Sequence, residues 1–124
     1  MTKARFSRWC RAYGRAWEAR DPDAAAALFT PDARYYETPL MPPMQGRDAI
    51  RAYWAEAVRG QRDITFSYRI LSVSGALGLA HWQASFFRVP GHSQAQLDGI
   101  LAVEMNEAGQ SQTFREWWHH HETP

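Results

Sequence analysis

Apolar residues at the start of the chain recur at helical spacing. Phe6, Trp9, Cys10, Tyr13, Ala16 and Trp17 form one stripe, which predicts an amphipathic helix over residues 5–20. Lys3, Arg5, Arg8, Arg11 and Arg15 fall off that stripe, as the wet face of such a helix would. Asp21-Pro22-Asp23 then stops one helix and starts another. Asp21 suits an N-cap, Pro22 the first helical position and Asp23 the positive end of the helix dipole. The second helix is expected over Ala24–Phe29, ended by Thr30-Pro31-Asp32. Residues Ala33–Thr38 read as a strand, with Tyr35 and Glu37 on one face and Tyr36 and Thr38 on the other. Pro39, Pro42 and Pro43 exclude regular structure over residues 39–46. Leu40, Met41 and Met44 make that loop apolar, so it is expected to pack over a pocket mouth. A third helix is predicted over Asp48–Arg59, with Ile50, Tyr53, Trp54, Ala57 and Val58 on one side and Gly60 beyond its end.

From there the pattern changes to alternation. Four strands are predicted: Ile64–Val73, Leu77–Val89, Gln94–Met105 and Ser111–His119. Ser74-Gly75, Pro90-Gly91 and Asn106-Glu107-Ala108-Gly109 supply the turns, which implies an antiparallel meander. Gly99 interrupts an apolar run, where a bulge is expected, and that leaves the facing of Asp98 open. The fold class is therefore α+β: three N-terminal helices packed on a strongly curved, mainly antiparallel sheet. Such a cone has an open end that makes a pocket. Residues 1–124 are expected to form a single domain.

Composition narrows the function. Six Trp among 124 residues, with 14% aromatics, point to a wide core or a lined cavity. A net charge of +1 argues against a nucleic-acid surface. Lone Cys10 forms no internal disulfide and reads as a buried, inert thiol. Neither a secretory leader nor a membrane span is evident in the pattern, so the expected location is cytoplasmic. The chain has no phosphate-binding glycine loop and no nucleophile elbow, so no cofactor is expected. His119-His120-His121 alternates sides along a strand, and no metal site is expected from it.

The candidate chemistry lies in a few polar residues among the aromatics. Glu37 is either a general base in a pocket or a strand-end carboxylate in solvent. Glu116 shares a face with Phe114 and Trp118. It is either a pocket acid or half of a buried pair with Arg69 or Arg88. His81 aligns with Gln83 and Ser85, facing either the pocket or water. Asp98 could orient His81 from the neighbouring strand. Tyr13 could donate a hydrogen bond into the cone or serve only as core. Trp17, Tyr35, Trp54, Gln83, Leu101, Phe114 and Trp118 are the candidate pocket lining.

Four words carry a family resemblance: Trp17-Glu18-Ala19-Arg20-Asp21-Pro22-Asp23-Ala24, Leu28-Phe29-Thr30-Pro31-Asp32-Ala33, Gly46-Arg47-Asp48-Ala49-Ile50-Arg51-Ala52-Tyr53-Trp54 and Phe114-Arg115-Glu116-Trp117-Trp118. In this element order, the chain resembles the SnoaL-like branch of the nuclear transport factor 2-like superfamily. That superfamily holds isomerases, dehydratases, cyclases, epoxide hydrolases and non-enzymes, so fold alone does not choose among them. Tyr13 and Asp21 keep a spacing similar to that in ketosteroid isomerases, and Glu37-Thr38-Pro39 comes close to their base. Their second acid would fall near Leu101, which speaks against that activity. Arg115-Glu116-Trp117-Trp118 resembles the catalytic word of limonene epoxide hydrolases, with Glu for Asp. The partner Arg and Asp are missing from Ala80-His81-Trp82-Gln83-Ala84-Ser85. Scytalone-dehydratase-type relatives use pocket histidines, which the resemblance carries to His81.

The expectation is a pocket for a small apolar or aromatic molecule. If the pocket is catalytic, Glu37 is its base, His81 a shuttle, Glu116 or Asp98 an orienting acid and Tyr13 a donor. The alternative is a non-catalytic ligand-binding or assembly module. In either case a homodimer through the outer sheet face is expected.

Overall fold

The computed structural model describes residues 1–124 and sets three helices against a six-stranded sheet. Helix α1 spans Lys3–Glu18 and buries Phe6, Trp9, Cys10, Tyr13, Ala16 and Trp17. The Thr2 side chain caps it by accepting from the Arg5 amide. It stops short of residue 20 because Arg20 takes a left-handed φ of 55°. Asp21 then accepts from the Ala24 amide and caps helix α2, Pro22–Ala26.

Helix α2 is shorter than the pattern suggests. Fully buried Phe29 instead opens strand β1, Phe29–Tyr36. Thr30, Pro31 and Asp32 therefore lie within a strand. Pairing with the neighbouring strand shifts register between Phe29 and Arg34, where a proline lacking an N–H is tolerated. The proline loop contains one short strand, β2 (Met44–Gln45), which pairs antiparallel to β1. Met44 packs on the core. Leu40 and Met41 are 88% and 63% exposed, so the tip of this loop projects outward instead of packing. Helix α3 is Arg47–Arg59 and buries Ile50, Trp54 and Val58.

The meander is longer than its sequence signals: β3 Gln61–Ser74, β4 Leu77–Arg88, β5 Gln94–Met105 and β6 Ser111–Thr123. Strand order is β2-β1-β6-β5-β4-β3. All neighbours are antiparallel except β1 and β6, which run parallel. No helix is long and apolar enough to cross a membrane. Cys10 is fully buried, and burial pushes its thiol up to about 12, as expected of an inert group.

Register passes through Gly99 without a bulge: Trp82, Gly99 and Trp118 are directly paired across β4, β5 and β6. Gly99 is required for another reason. A Cβ there would sit 2.3 Å from the Trp117 carbonyl oxygen and 2.8 Å from Trp118 Cβ. The strands approach closely at this point because the sheet curls around the helices. The continuous register also settles Asp98, which points away from the helices. Gly99→Ala should lower unfolding free energy by roughly 2 kcal/mol or more in urea titrations, the scale of core overpacking. A wild-type midpoint would show that the strands can part there freely.

Candidate active site

Glu116 lies on the helix-facing side of β6, between Phe114 and Trp118. It is 6% exposed among aromatic neighbours. The parallel register places Tyr35 beside Phe114. From there the Tyr35 hydroxyl donates to Glu116 Oε1 at 3.4 Å, and Tyr13 and Tyr35 hydroxyls lie 3.3 Å apart. Neither Arg69 nor Arg88 pairs with Glu116. Arg88 holds Glu122 at 3.0 Å, and Arg69 sits in register beside His81 on the outer face. Without a cation, burial pushes the Glu116 carboxyl up to about 8. The nearby negative charge of Glu37 adds to the rise, and the Tyr35 hydrogen bond opposes it. Glu116 is thus mostly a neutral acid near pH 7.

Glu37 follows the end of β1 and is half-buried. Tyr53, on α3, feels both carboxylates, and burial raises its hydroxyl strongly. Tyr13 and Tyr35 are raised likewise, first by burial and then by Glu116. All three phenols remain protonated donors.

Two hollows meet at Glu116. A cavity of about 310 Å³ on the helix side is walled by Tyr13, Trp17, Tyr53, Trp54, Trp82 and Glu116, with Trp118 also contributing. A second hollow, of about 620 Å³, opens where β1 leaves β6, and Glu37, Thr38, Pro39, Glu116 and Trp117 border it. Glu37 and Glu116 both border this second hollow, whereas Glu37 does not wall the helix-side cavity.

The pleat separates the other candidates. His81, Gln83 and Asp98 project from the outer face, because Trp82 and Leu97 take the inward positions of their strands. His81 Nε2 lies 2.9 Å from Asp98 Oδ1, and Gln83 Nε2 donates to Asp98 Oδ2 at 2.8 Å. Those bonds, the Gln83 bond foremost, hold the Asp98 carboxyl below its usual range. The imidazole–carboxylate pair exists, but its side chains project from the face opposite the Glu116 side chain, although Asp98 also borders the hollow that Glu37 and Glu116 share. Asp98 and Gln83, with Ser85 and His119, border a shallow outer hollow of about 540 Å³. Tyr35, Leu101 and Phe114 are fully buried core and do not wall the cavity. Trp17, Trp54 and Trp118 do wall it. The histidine run splits: His120 contacts Glu122 at 2.8 Å, while His119 and His121 face outward. No cluster of three His, Cys, Asp or Glu side chains is placed to hold a metal.

Sequence reasoning missed Tyr53 and Trp82 as site residues. Both were legible as inward-facing. Only the helix–sheet packing shows that Tyr53 meets the two carboxylates.

Protonation of Glu116 links to stability. Its folded pKa, about 8, lies above the ordinary 4.5. The unfolded chain therefore loses this proton first as pH rises. Its contribution is complete below 4.5, declines through the interval up to about 8 and is flat beyond. Wild type should accordingly lose on the order of a few kcal/mol between pH 4.5 and 8. Glu116→Gln should remove most of that slope in denaturation curves at stepped pH, and parallel slopes for both proteins would refute a buried neutral Glu116.

The comparisons agree on the architecture. The SnoaL-like domain family matches residues 10–120. The structure of a computationally designed 17-OHP binder superposes with a TM-score of 0.81 at 17% identity, covering 95% of this chain and 96% of that one. The crystal structure of RV0760c from Mycobacterium tuberculosis superposes with a TM-score of 0.81 at 16% identity, covering 99% of each chain. No curated protein matches the sequence. With a family match over residues 10–120, most of its length, this chain belongs to the SnoaL-like domain family.

Proposed function

We propose that the chain binds a small, largely apolar carbonyl compound and catalyses proton transfer at the carbon next to the carbonyl. One observation carries this reading: two carboxyls of unequal burial, half-buried Glu37 and fully buried Glu116, border one hollow, and burial pushes the Glu116 carboxyl up to about 8. A buried carboxyl that keeps its proton can serve as acid while a less buried one takes the proton. Glu37 takes the α-proton, and the C–H electrons move into a C=C bond as the carbonyl π pair moves to oxygen. Glu116, backed by Tyr35 and Tyr13, donates to that oxygen as its negative charge grows. Returning the proton to another carbon gives isomerisation, expelling a β-hydroxyl gives dehydration, and attack on a second carbonyl gives cyclisation. The aromatic walls suit an apolar molecule, and the likeness to a protein designed to bind 17-OHP supports a ligand-binding reading.

The test is solvent-deuterium exchange at the α-carbons of 1-decalone, followed by NMR against the uncatalysed rate. Wild type should accelerate exchange. Glu37→Gln should abolish the acceleration, and Glu116→Gln should slow it by about a hundredfold, the scale of losing one donor to a developing oxyanion. Both variants should stay folded by circular dichroism. Exchange indifferent to both substitutions would sink the acid–base reading.

A second role is assembly. The outer face exposes Trp117 at 46% and Leu71 at 46%, beside the His81–Asp98–Gln83 network. We propose that this face pairs with a second copy, with the aromatic group as anchor and the polar network around it. Trp117→Lys should shift the sedimentation profile from dimer to monomer. A monomeric wild type at micromolar concentration would exclude the assembly.

A further inference from the structure

Helix α1 concentrates positive charge that the fold does not neutralise. It carries five basic residues, Lys3, Arg5, Arg8, Arg11 and Arg15, against the single acid Glu18. The helix is formally +4 while the whole chain is +1, so everything outside it is net −3. Arg8, Arg11 and Arg15 are exposed and have no ion-pair partner; the arginines held in ion pairs are Arg51, Arg59, Arg62 and Arg88. Glu18 is engaged elsewhere, accepting from the Phe66 amide at 3.0 Å. Folding does not ask for this arrangement. The first turn of α1 holds no acidic residue, although the helix dipole favours one there. Like charges three and four residues apart on a helix repel.

The same three arginines border a groove. Arg8, Arg11 and Arg15 line a hollow of about 420 Å³ beside α1 and the start of α2, together with the small side chains Ala12, Ala16, Ala19 and Ala24. Arg8 and Ala12 also border an adjoining hollow of about 300 Å³ on the side of Leu28 and Met105. One carboxylate lies at the groove, Asp21, and it is committed to the Ala24 amide as the cap of α2.

We propose that this groove docks an acidic helical segment of another protein, whose carboxylates pair with Arg8, Arg11 and Arg15 while its small apolar side chains settle against the alanines. Guanidinium groups suit carboxylates because their planar fork matches both oxygens. An extended polyanion fits this surface less well. The charged stretch from Lys3 to Arg15 is about 18 Å long at the helical rise, and a DNA duplex or a lipid surface reaches beyond it to meet the net negative remainder. Trp9, Tyr13 and Trp17 of α1 are buried, so they offer no platform for base stacking. The exposed large apolar side chains, Leu40, Met41, Leu71, Val89 and Trp117, all lie on other elements, so none projects from α1 or α2 to enter a bilayer.

The experiment uses the intact protein and a fluorescein-labelled amphipathic peptide of about four helical turns, with glutamates along one edge and alanine and leucine beside them, followed by anisotropy. Binding should weaken as salt rises. Arg11→Glu with Arg15→Glu should lower affinity about tenfold or more, because two attractions become repulsions. Arg69→Glu with Arg115→Glu, an equal change of net charge on the outer sheet face, should leave affinity within about twofold. Ala12→Gln should cost about fivefold with charge unchanged, by filling the groove. Circular dichroism checks that each variant is folded, and Arg11→Gln with Arg15→Gln replaces the double reversal should that one unfold.

A peptide that does not bind would overturn the proposal. Equal losses from the two double reversals, or wild-type affinity in Ala12→Gln, would reduce the binding to overall charge and overturn it as well. Tighter binding to vesicles of phosphatidylcholine and phosphatidylserine, or to a DNA duplex, lost in Arg11→Glu with Arg15→Glu, would assign the patch to lipid or nucleic acid instead. A sedimentation shift of the protein alone in that variant would assign it to a second copy of this chain.

Discussion

Three aromatic rings from three elements stack on one another, and the geometry of the site depends on that stack. Phe114 of β6 lies 4.3 Å from Tyr35 of β1 at 22°, and 5.5 Å from Tyr13 of α1 at 27°. Trp9 extends the stack, 5.3 Å from Tyr13 at 16°. Offset stacking adds about 0.5–1.5 kcal/mol per pair beyond area burial. Its structural consequence is larger than its energy. With both tyrosines packed on Phe114, their hydroxyls meet at 3.3 Å, and the Tyr13–Tyr35–Glu116 chain of oxygens follows. Parallel pairing of β1 with β6 is what puts Tyr35 beside Phe114. A two-strand slip would carry that hydroxyl away from the acid.

The same packing determines what kind of acid Glu116 is. No cation pairs with Glu116, and several arginines near the sheet are engaged elsewhere. Arg47 donates to the Phe29 carbonyl, Arg88 to Glu122 and Arg20 to the Val58 carbonyl, and Arg115 lies over Tyr36 at 4.0 Å. A carboxyl buried without a cation keeps its proton, because ionising it in a low-dielectric site costs more than neutral solvation by phenols can return. Glu37, by contrast, sits past the end of β1, where the sheet opens to water. Glu116 is buried within β6 and Glu37 is half-buried beyond the end of β1, so the two acids differ in their surroundings. The strand pleat alone would make them equivalent.

Much of this architecture was legible in the chain. Period-three-and-four apolar spacing located α1 and α3, and the meander turns located β3 to β6. Errors fell where local signals compete with tertiary packing. Thr30-Pro31-Asp32 reads as a helix stop and a loop, yet core burial of Phe29 and Ala33 pulls that stretch into β1. Gly99 reads as a bulge, because a strand glycine has two common causes and alternation cannot tell them apart. The actual cause, interstrand crowding against Trp117 and Trp118, is a long-range contact. The site was half legible. Alternation placed Glu37 with Tyr35 and Glu116 with Phe114. Which face of β4 turns inward depended on the choice between Trp82 and His81, and apolar burial takes the tryptophan in. Tyr53 meets the two carboxylates only through the packing of α3 on the sheet, which local periodicity does not encode.

Folding alone does not account for a carboxyl at position 116. The inward positions on either side hold Phe114 and Trp118, and an apolar or amide side chain would serve the core without losing stability above the ordinary carboxyl pKa. The surrounding hydroxyls do not demand it either, since an amide could accept from Tyr35 equally well. What a carboxyl offers and an amide does not is a proton that can leave and return. That distinction matters only if something in the cavity exchanges protons with it. The indole nitrogens of Trp54 and Trp82, residues that wall the same cavity, are likewise buried without a hydrogen-bond partner. Two departures from a self-sufficient core therefore occur around one cavity, while the rest of the core is packed and its polar side chains satisfied. Local violations of good packing chemistry confined to one concave place are compatible with ligand binding there, and the fold by itself does not require them.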